Sequence, residues 1–315
     1  MNWTKDALLS KAKLYFQKAQ KEDRDSIYFG TYCAFGLELL ARAALASFSP
    51  VLLAEPRSTE SMLYALSLKD VGGKQRSITT NSVISLCGEI IPDFNKDMQH
   101  IASIMAERRN EELHSGGGGF AEYNMDKWIS GFYQACQVLG KTVNETLESL
   151  FGSEAAKEAF EIIQQDTDKI KKTVLEKINA CKKAFEEDLI AKPEEISALI
   201  DASKKSISEK IYRGYHKVTC PCCKNDALIF GKEFLTGHEQ IEDDVVVVRK
   251  EVTANIFQCD VCKLRLTSYA ALKCADLPLH YTNTYQYDPT DYFNIDLDYL
   301  RDSGNLDYLY EYSNE

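Results

Sequence analysis

Two C-x2-C pairs lie late in the chain, Cys220-Pro221-Cys222-Cys223 and Cys259-Asp260-Val261-Cys262, and they restrict how that part can fold. Four thiolates delivered by two tight turns match the tetrahedral set that zinc prefers. Strand-like runs at 227–230, 245–257 and 264–269 lie between and after the pairs, so a zinc ribbon is expected over residues 214–275. Cys220 and Cys223 are the expected first pair and Cys259 and Cys262 the second. Cys222 then points away as a spare thiol, although its exchange into the site stays open. A closed set of four cysteines leaves no coordination position for a substrate, so the Zn2+ would be structural.

The rest of the chain reads as helical. Four of the ten cysteines, Cys33, Cys87, Cys136 and Cys181, are scattered singly through helical segments and read as buried thiols. That usage suits a reducing, cytoplasmic setting. The first residues, MNWTKDALLSKAK, have charges scattered through them, unlike a secretory leader. The longest apolar stretch, near 34–48, is interrupted by Glu38 and Arg42 and is too short to span a membrane. A net charge of −11 argues against a general nucleic-acid coat protein but leaves room for a local basic cleft.

Residues 1–150 are expected to form a helical bundle. An amphipathic helix over 3–20 carries Leu8, Leu9, Ala12, Leu14, Tyr15 and Ala19. A second, over 25–47, is apolar nearly all round and should be central. Residues 49–80, with Pro50, Pro56 and Gly72-Gly73, look irregular. A short helix near 82–91 stops before Pro92. Another helix runs from about 94 to 114, and a single long one is expected over 123–150.

Within the 94–114 helix, Met98, Ile101, Ile104 and Met105 form an apolar stripe whose continuation lands on Arg108, Arg109 and Glu112. Charges on a core-facing stripe need partners or solvent. Either the helix emerges from the bundle there, or the stripe opens into a polar cleft. The segment reads Arg109-Asn110-Glu111-Glu112-Leu113-His114, followed at once by the glycines at 116–119. A guanidinium can stabilise charge on a phosphate, and histidine is the side chain that trades protons near neutrality. Five residues rotate roughly 140° around a helix, so Arg109 and His114 share a face only if the helix relaxes near its end. Asn110, one turn before His114, is placed to orient the imidazole. Glu38 has two readings: an internal pair with Arg42, or a carboxylate in the cleft positioning Arg109 or His114.

These residues resemble the HEPN family of helical-bundle ribonucleases. The resemblance rests on the R-N-x-x-x-H arrangement of Arg109, Asn110 and His114 near the end of a late bundle helix, supported by Glu38 and Arg42 on the central one. It covers about the first half of the chain. It implies a metal-independent endoribonuclease, in which a ribose 2′-hydroxyl attacks the neighbouring phosphate to leave a 2′,3′-cyclic phosphate and a 5′-hydroxyl. His114 would be the general acid or base, Arg109 would bind the phosphate, Asn110 would orient and Glu38 would support. It further implies an RNA substrate, a homodimer or higher oligomer, and a role as a prokaryotic toxin or antiviral effector. The 49–80 insertion and the ribbon depart from the family pattern.

Residues 151–213 are expected to form a helical hairpin. Phe160, Ile163, Thr167, Ile170, Val174, Ile178, Cys181 and Phe185 keep helical spacing, and Pro193 starts the second arm. Lys204, Lys205, Lys210, Arg213 and Lys217 make a basic run before the first cysteine pair. Residues 276–315 form a tail rich in tyrosine and acid, read as a packed extension or as a cover for a basic cleft. The ribbon and the tail are the expected docking elements for a partner protein. A non-catalytic adaptor using them is the competing reading.

Overall fold

The computed structural model describes residues 2–68, 75–121, 123–235 and 239–295. It is mainly helical at the N-terminal side and ends in a small antiparallel sheet holding the cysteine cluster. Among the described residues no helix is long and apolar enough to cross a membrane.

Helix α1 (Lys5–Ala19) starts where the Thr4 side chain accepts from the Ala7 N–H. Its core stripe is Leu8, Ala12, Phe16 and Ala19, spaced by four, four and three. Leu14, expected in that stripe, lies on the flank and is half exposed, with Tyr15 beside it. Helix α2 (Ile27–Phe48), capped by Ser26, is central as expected and packs on α1, α4 (Thr80–Ile90), α5 (Lys96–His114) and α6 (Ile129–Thr142). Phe16, Phe94, Phe132, Leu40, Leu45 and Leu139 fill the space between them.

Two segments differ from the sequence expectation. The irregular insertion contains a 3-10 turn (Pro50–Leu53) and a short helix, α3 (Thr59–Ala65), capped by Ser58. Its Gly72-Gly73 pair lies outside the described residues. The single helix expected over 123–150 is three pieces: a 3-10 turn (Met125–Lys127), α6, and α7 (Leu147–Phe151). The break has a local cause. Asn144 takes a left-handed φ of 63°, and Thr146 with Ser149 closes a reciprocal capping box that starts a new helix.

Helix α8 (Ser153–Ala191) runs 39 residues, about 58 Å at 1.5 Å per residue. Its first turns seat Ala156, Ala159 and Ile163 on the bundle core. Further along, Ile170, Val174, Ile178, Cys181 and Phe185 pack into a second core with the sheet. Helix α9 (Pro193–Ile211) returns along it and adds Ile200 to that second core. The stripe therefore serves two cores in succession.

The sheet is built around one long strand, β4 (Val245–Gln258), which pairs antiparallel with β2 (Asp226–Leu235), β3 (Gln240–Glu242), β5 (Arg265–Leu266) and β6 (His280–Tyr287). Strand β1 (His216–Thr219) extends β2. β6 belongs to the segment expected as a tail: Tyr281 sits opposite Val252, and its hydroxyl donates to the Gly214 carbonyl at 3.0 Å. A short helix, α10 (Tyr269–Cys274), precedes β6, and α11 (Pro289–Tyr292) follows it. Residues 296–315, with most of the acidic tyrosine-rich tail, lie outside the described residues. The sheet rests on the turn between α4 and α5. There Lys232 Nζ donates to the Gly88 carbonyl, Thr253 Oγ1 to that of Pro92, and His280 Nε2 lies 3.4 Å from the Asp93 carboxylate.

Phe132 is fully buried among Phe16, Trp128 and Phe151. Phe132→Ala is expected to lower stability by about 3–5 kcal/mol in denaturant titration, since an aromatic this enclosed leaves a cavity.

Candidate functional site

Helix α5 starts at Asn95, whose side chain accepts from the Asp97 and Met98 N–H groups. Its buried face is Met98, Ala102, Met105, Ala106 and then Arg109. The stripe thus ends on Arg109, a residue 8 % exposed and still core-facing. Ile101 and Ile104 lie at its half-buried margins.

The charge on Arg109 is answered from α2. Arg109 Nη1 is hydrogen-bonded to Glu38 Oε2, while the other oxygen of Glu38 accepts from Arg42 Nε at 2.9 Å. Glu38 therefore makes the internal pair with Arg42 and also contacts Arg109, within the packed bundle rather than in an open cleft. Arg42 is fixed in turn, with Nη2 donating to the Ile78 carbonyl at 3.1 Å. Arg109 Nη2 donates to Asn110 Oδ1 at 2.8 Å and reaches Thr80 Oγ1 at 3.5 Å. Its guanidinium lies over the Phe35 ring at 5.7 Å. Arg109 Nε is buried with no acceptor. Burial pulls both Arg109 and Arg42 below the ordinary guanidinium value.

Two placements differ from the sequence expectation. Asn110 holds the Arg109 guanidinium and does not orient the imidazole. His114 is exposed, and among the described residues it has no hydrogen bond or ion pair. The helix stays regular through His114 and is capped only at Ser115, so the relaxation that would bring Arg109 and His114 onto one face does not occur. Within one chain Arg109 points to the core and His114 to solvent. Closed in this way, Arg109 braces α5 against α2, and the imidazole is left exposed to solvent.

The glycine run folds back on the helix. The Gly119 N–H donates to the Glu112 carboxylate at 2.8 Å. A side chain at Gly119 would overlap the Arg108 carbonyl oxygen. That close return drives Phe120 into the core, against Gly30 of α2 and 5.8 Å from the Trp128 ring.

The second candidate site is the cysteine cluster. Cys220, Cys223, Cys259 and Cys262 converge with all their sulfur atoms within 4.8 Å of one another, positioned to bind a metal ion. Cys220 and Cys262 are 3.5 Å apart, and Cys223 and Cys259 3.6 Å. Metal–sulfur bonds of about 2.3 Å at tetrahedral angles would separate the sulfurs by about 3.8 Å, so the donor set fits. The two turns have the same geometry. The N–H of Lys224 bonds the Cys220 carbonyl at 3.1 Å and that of Lys263 the Cys259 carbonyl at 3.0 Å, each lysine at left-handed φ. Hydrogen bonding within the set pushes the Cys223 thiol far below its ordinary range and holds the Cys220 and Cys259 thiols well above it. Cys222 is buried outside the set, the spare thiol that the spacing predicts. The basic run before the cluster is largely answered locally: Lys210 meets Asp260 at 3.4 Å and Lys217 meets Asp226 at 3.5 Å.

Sequence reasoning missed Thr80 and Phe35 beside Arg109. Phe35 was legible in principle, one turn before Glu38 on the same helix face; Thr80 follows the irregular insertion and no local signal places it. No known protein family, no curated protein and no solved structure matches this chain.

Glu38→Gln removes the charge shared by two guanidiniums and is expected to cost about 3 kcal/mol in thermal or chemical unfolding, because Arg109 is left buried and uncompensated. Cys220→Ser is expected to abolish stoichiometric metal binding, read by elemental analysis of purified protein, while Cys222→Ser retains one equivalent.

Proposed function

We propose that this chain is a HEPN-type, metal-independent endoribonuclease. The observation that carries the reading is the Glu38, Arg109 and Asn110 network between the bundle's central helix and α5, five residues before an exposed His114. In the reaction, the ribose 2′-oxygen forms a bond to phosphorus as the phosphorus–5′-oxygen bond breaks. One imidazole takes the 2′-hydroxyl proton and one imidazolium gives a proton to the departing 5′-oxygen. Asn110 is exposed, so a phosphate oxygen can replace its carbonyl as acceptor for Arg109 Nη2.

Two proton-transfer groups are needed, and among the described residues His114 is the one imidazole at this place. His100, on the same helix, is about 21 Å up its axis. A homodimer that faces two His114 side chains across one cleft supplies both. The cysteine cluster is read as a structural zinc site. It holds the sheet that rests on the α4–α5 turn, and its four closed ligands leave the chemistry to the bundle.

A non-catalytic adaptor is the second reading, favoured by the closure of Arg109 within one chain. The two separate on turnover. Purified protein incubated with total RNA is expected to yield fragments with 2′,3′-cyclic phosphate and 5′-hydroxyl ends. His114→Ala is expected to slow this by at least about 100-fold. Equal cleavage by both proteins, or none by either as monomer or dimer, removes the nuclease assignment.

A further inference from the structure

We infer that the outer face of α1 and α2 is a base-stacking track that carries single-stranded RNA toward Arg109. This inference rests on the ribonuclease reading. Four aromatic rings stand in file on that face. Tyr28 and Tyr32 are stacked at 6.4 Å between centroids, Tyr32 and Tyr15 follow at 6.2 Å, and Tyr15 and Phe35 at 5.1 Å. The file ends where the Arg109 guanidinium covers Phe35 at 5.7 Å. It begins in open solvent, with Tyr28 54 % exposed. Spacing along the helices accounts for it: Tyr28, Tyr32 and Phe35 fall at i, i+4 and i+7 on α2.

The charges beside the rings select the ligand. Residues 7–21 hold four lysines and no carboxylate, in a chain whose net charge is −11. Lys18 Nζ sits 5.3 Å from the Tyr15 ring centroid and 5.8 Å from that of Tyr32. Lys11 is one turn before Tyr15 on the same face, and neither Lys11 nor Lys18 has an ion pair among the described residues. Flat rings with unpaired ammonium groups beside them, Lys13 alone of the four being taken by Glu145, meet the two repeating parts of a single strand, its bases and its phosphates. A duplex hides the base faces.

The test separates binding from cleavage. In full-length His114→Ala protein with its metal, fluorescein-labelled oligo(A) of twelve nucleotides is titrated and followed by anisotropy. Tyr28→Ala is expected to weaken binding at least about fivefold and Tyr28→Phe to restore it. Lys18→Ala is expected to lower the salt dependence of binding by about one phosphate contact. The same strand annealed to oligo(U) is expected to bind at least tenfold more weakly. Tyr212, 86 % exposed on the far α9 side, serves as control, and Tyr212→Ala should bind like the parent. Unchanged binding by Tyr28→Ala and Lys18→Ala overturns the track. So does a Tyr28→Ala that changes only the sedimentation behaviour, which would make this face a contact between copies. Cleavage by the wild type with no effect of these variants sinks the track alone. Track-dependent binding without cleavage by the wild type sinks the nuclease reading alone.

Discussion

A carboxylate on the most apolar helix of a bundle must be met by cations, and that requirement organises the N-terminal half. Glu38 gives one oxygen to Arg42 of its own helix and the other to Arg109 of α5. Desolvating three charges is costly, and the geometry offsets the cost by using both carboxylate oxygens and by tying Arg42 to the Ile78 carbonyl. α5 therefore has one favourable rotation about its axis, the one that buries position 109. That rotation also sends position 114 outward. The exposure of His114 is a geometrical consequence of the burial of Arg109.

The two cores are joined by helix rather than by a flexible linker. α8 contributes Ala156 and Ala159 to the bundle and Val174 to the sheet. The sheet touches the bundle again at the α4–α5 turn, through Lys232, Thr253 and His280. The cysteine cluster thus has a structural path to α5: cysteines to strands β2 and β4, strands to the turn, turn to the helix that ends in His114.

Long, periodic segments were legible from sequence alone. α1, α2, α5 and α8 follow their apolar spacing, and the four clustered cysteines follow from two C-x2-C pairs. What failed was local or long-range. The division between α6 and α7 is decided by Asn144 and the Thr146 cap, a short-range signal weaker than the apolar stripe around it. β6 was hidden because its tyrosines sit among polar residues and pair with β4 across a wide sequence separation. At the candidate site the residue types and the Glu38 contact were readable. The partner of Asn110 was not, because a one-residue neighbour on a helix is the less obvious choice over one a full turn away.

The late position of β6 has a consequence for biosynthesis. On the edge of β4 away from β2, β5 covers only Phe257 and Gln258, and Val246 to Thr253 are covered by β6, which ends at Tyr287, whereas the last bundle helix before α8 ends at Phe151. Elongation at about 5–20 residues per second separates the emergence of those two points by roughly 7–27 s. The nascent bundle can collapse on the ribosome with the Glu38 and Arg109 pair already made, while the 246–253 stretch of β4 waits with one edge open until β6 emerges.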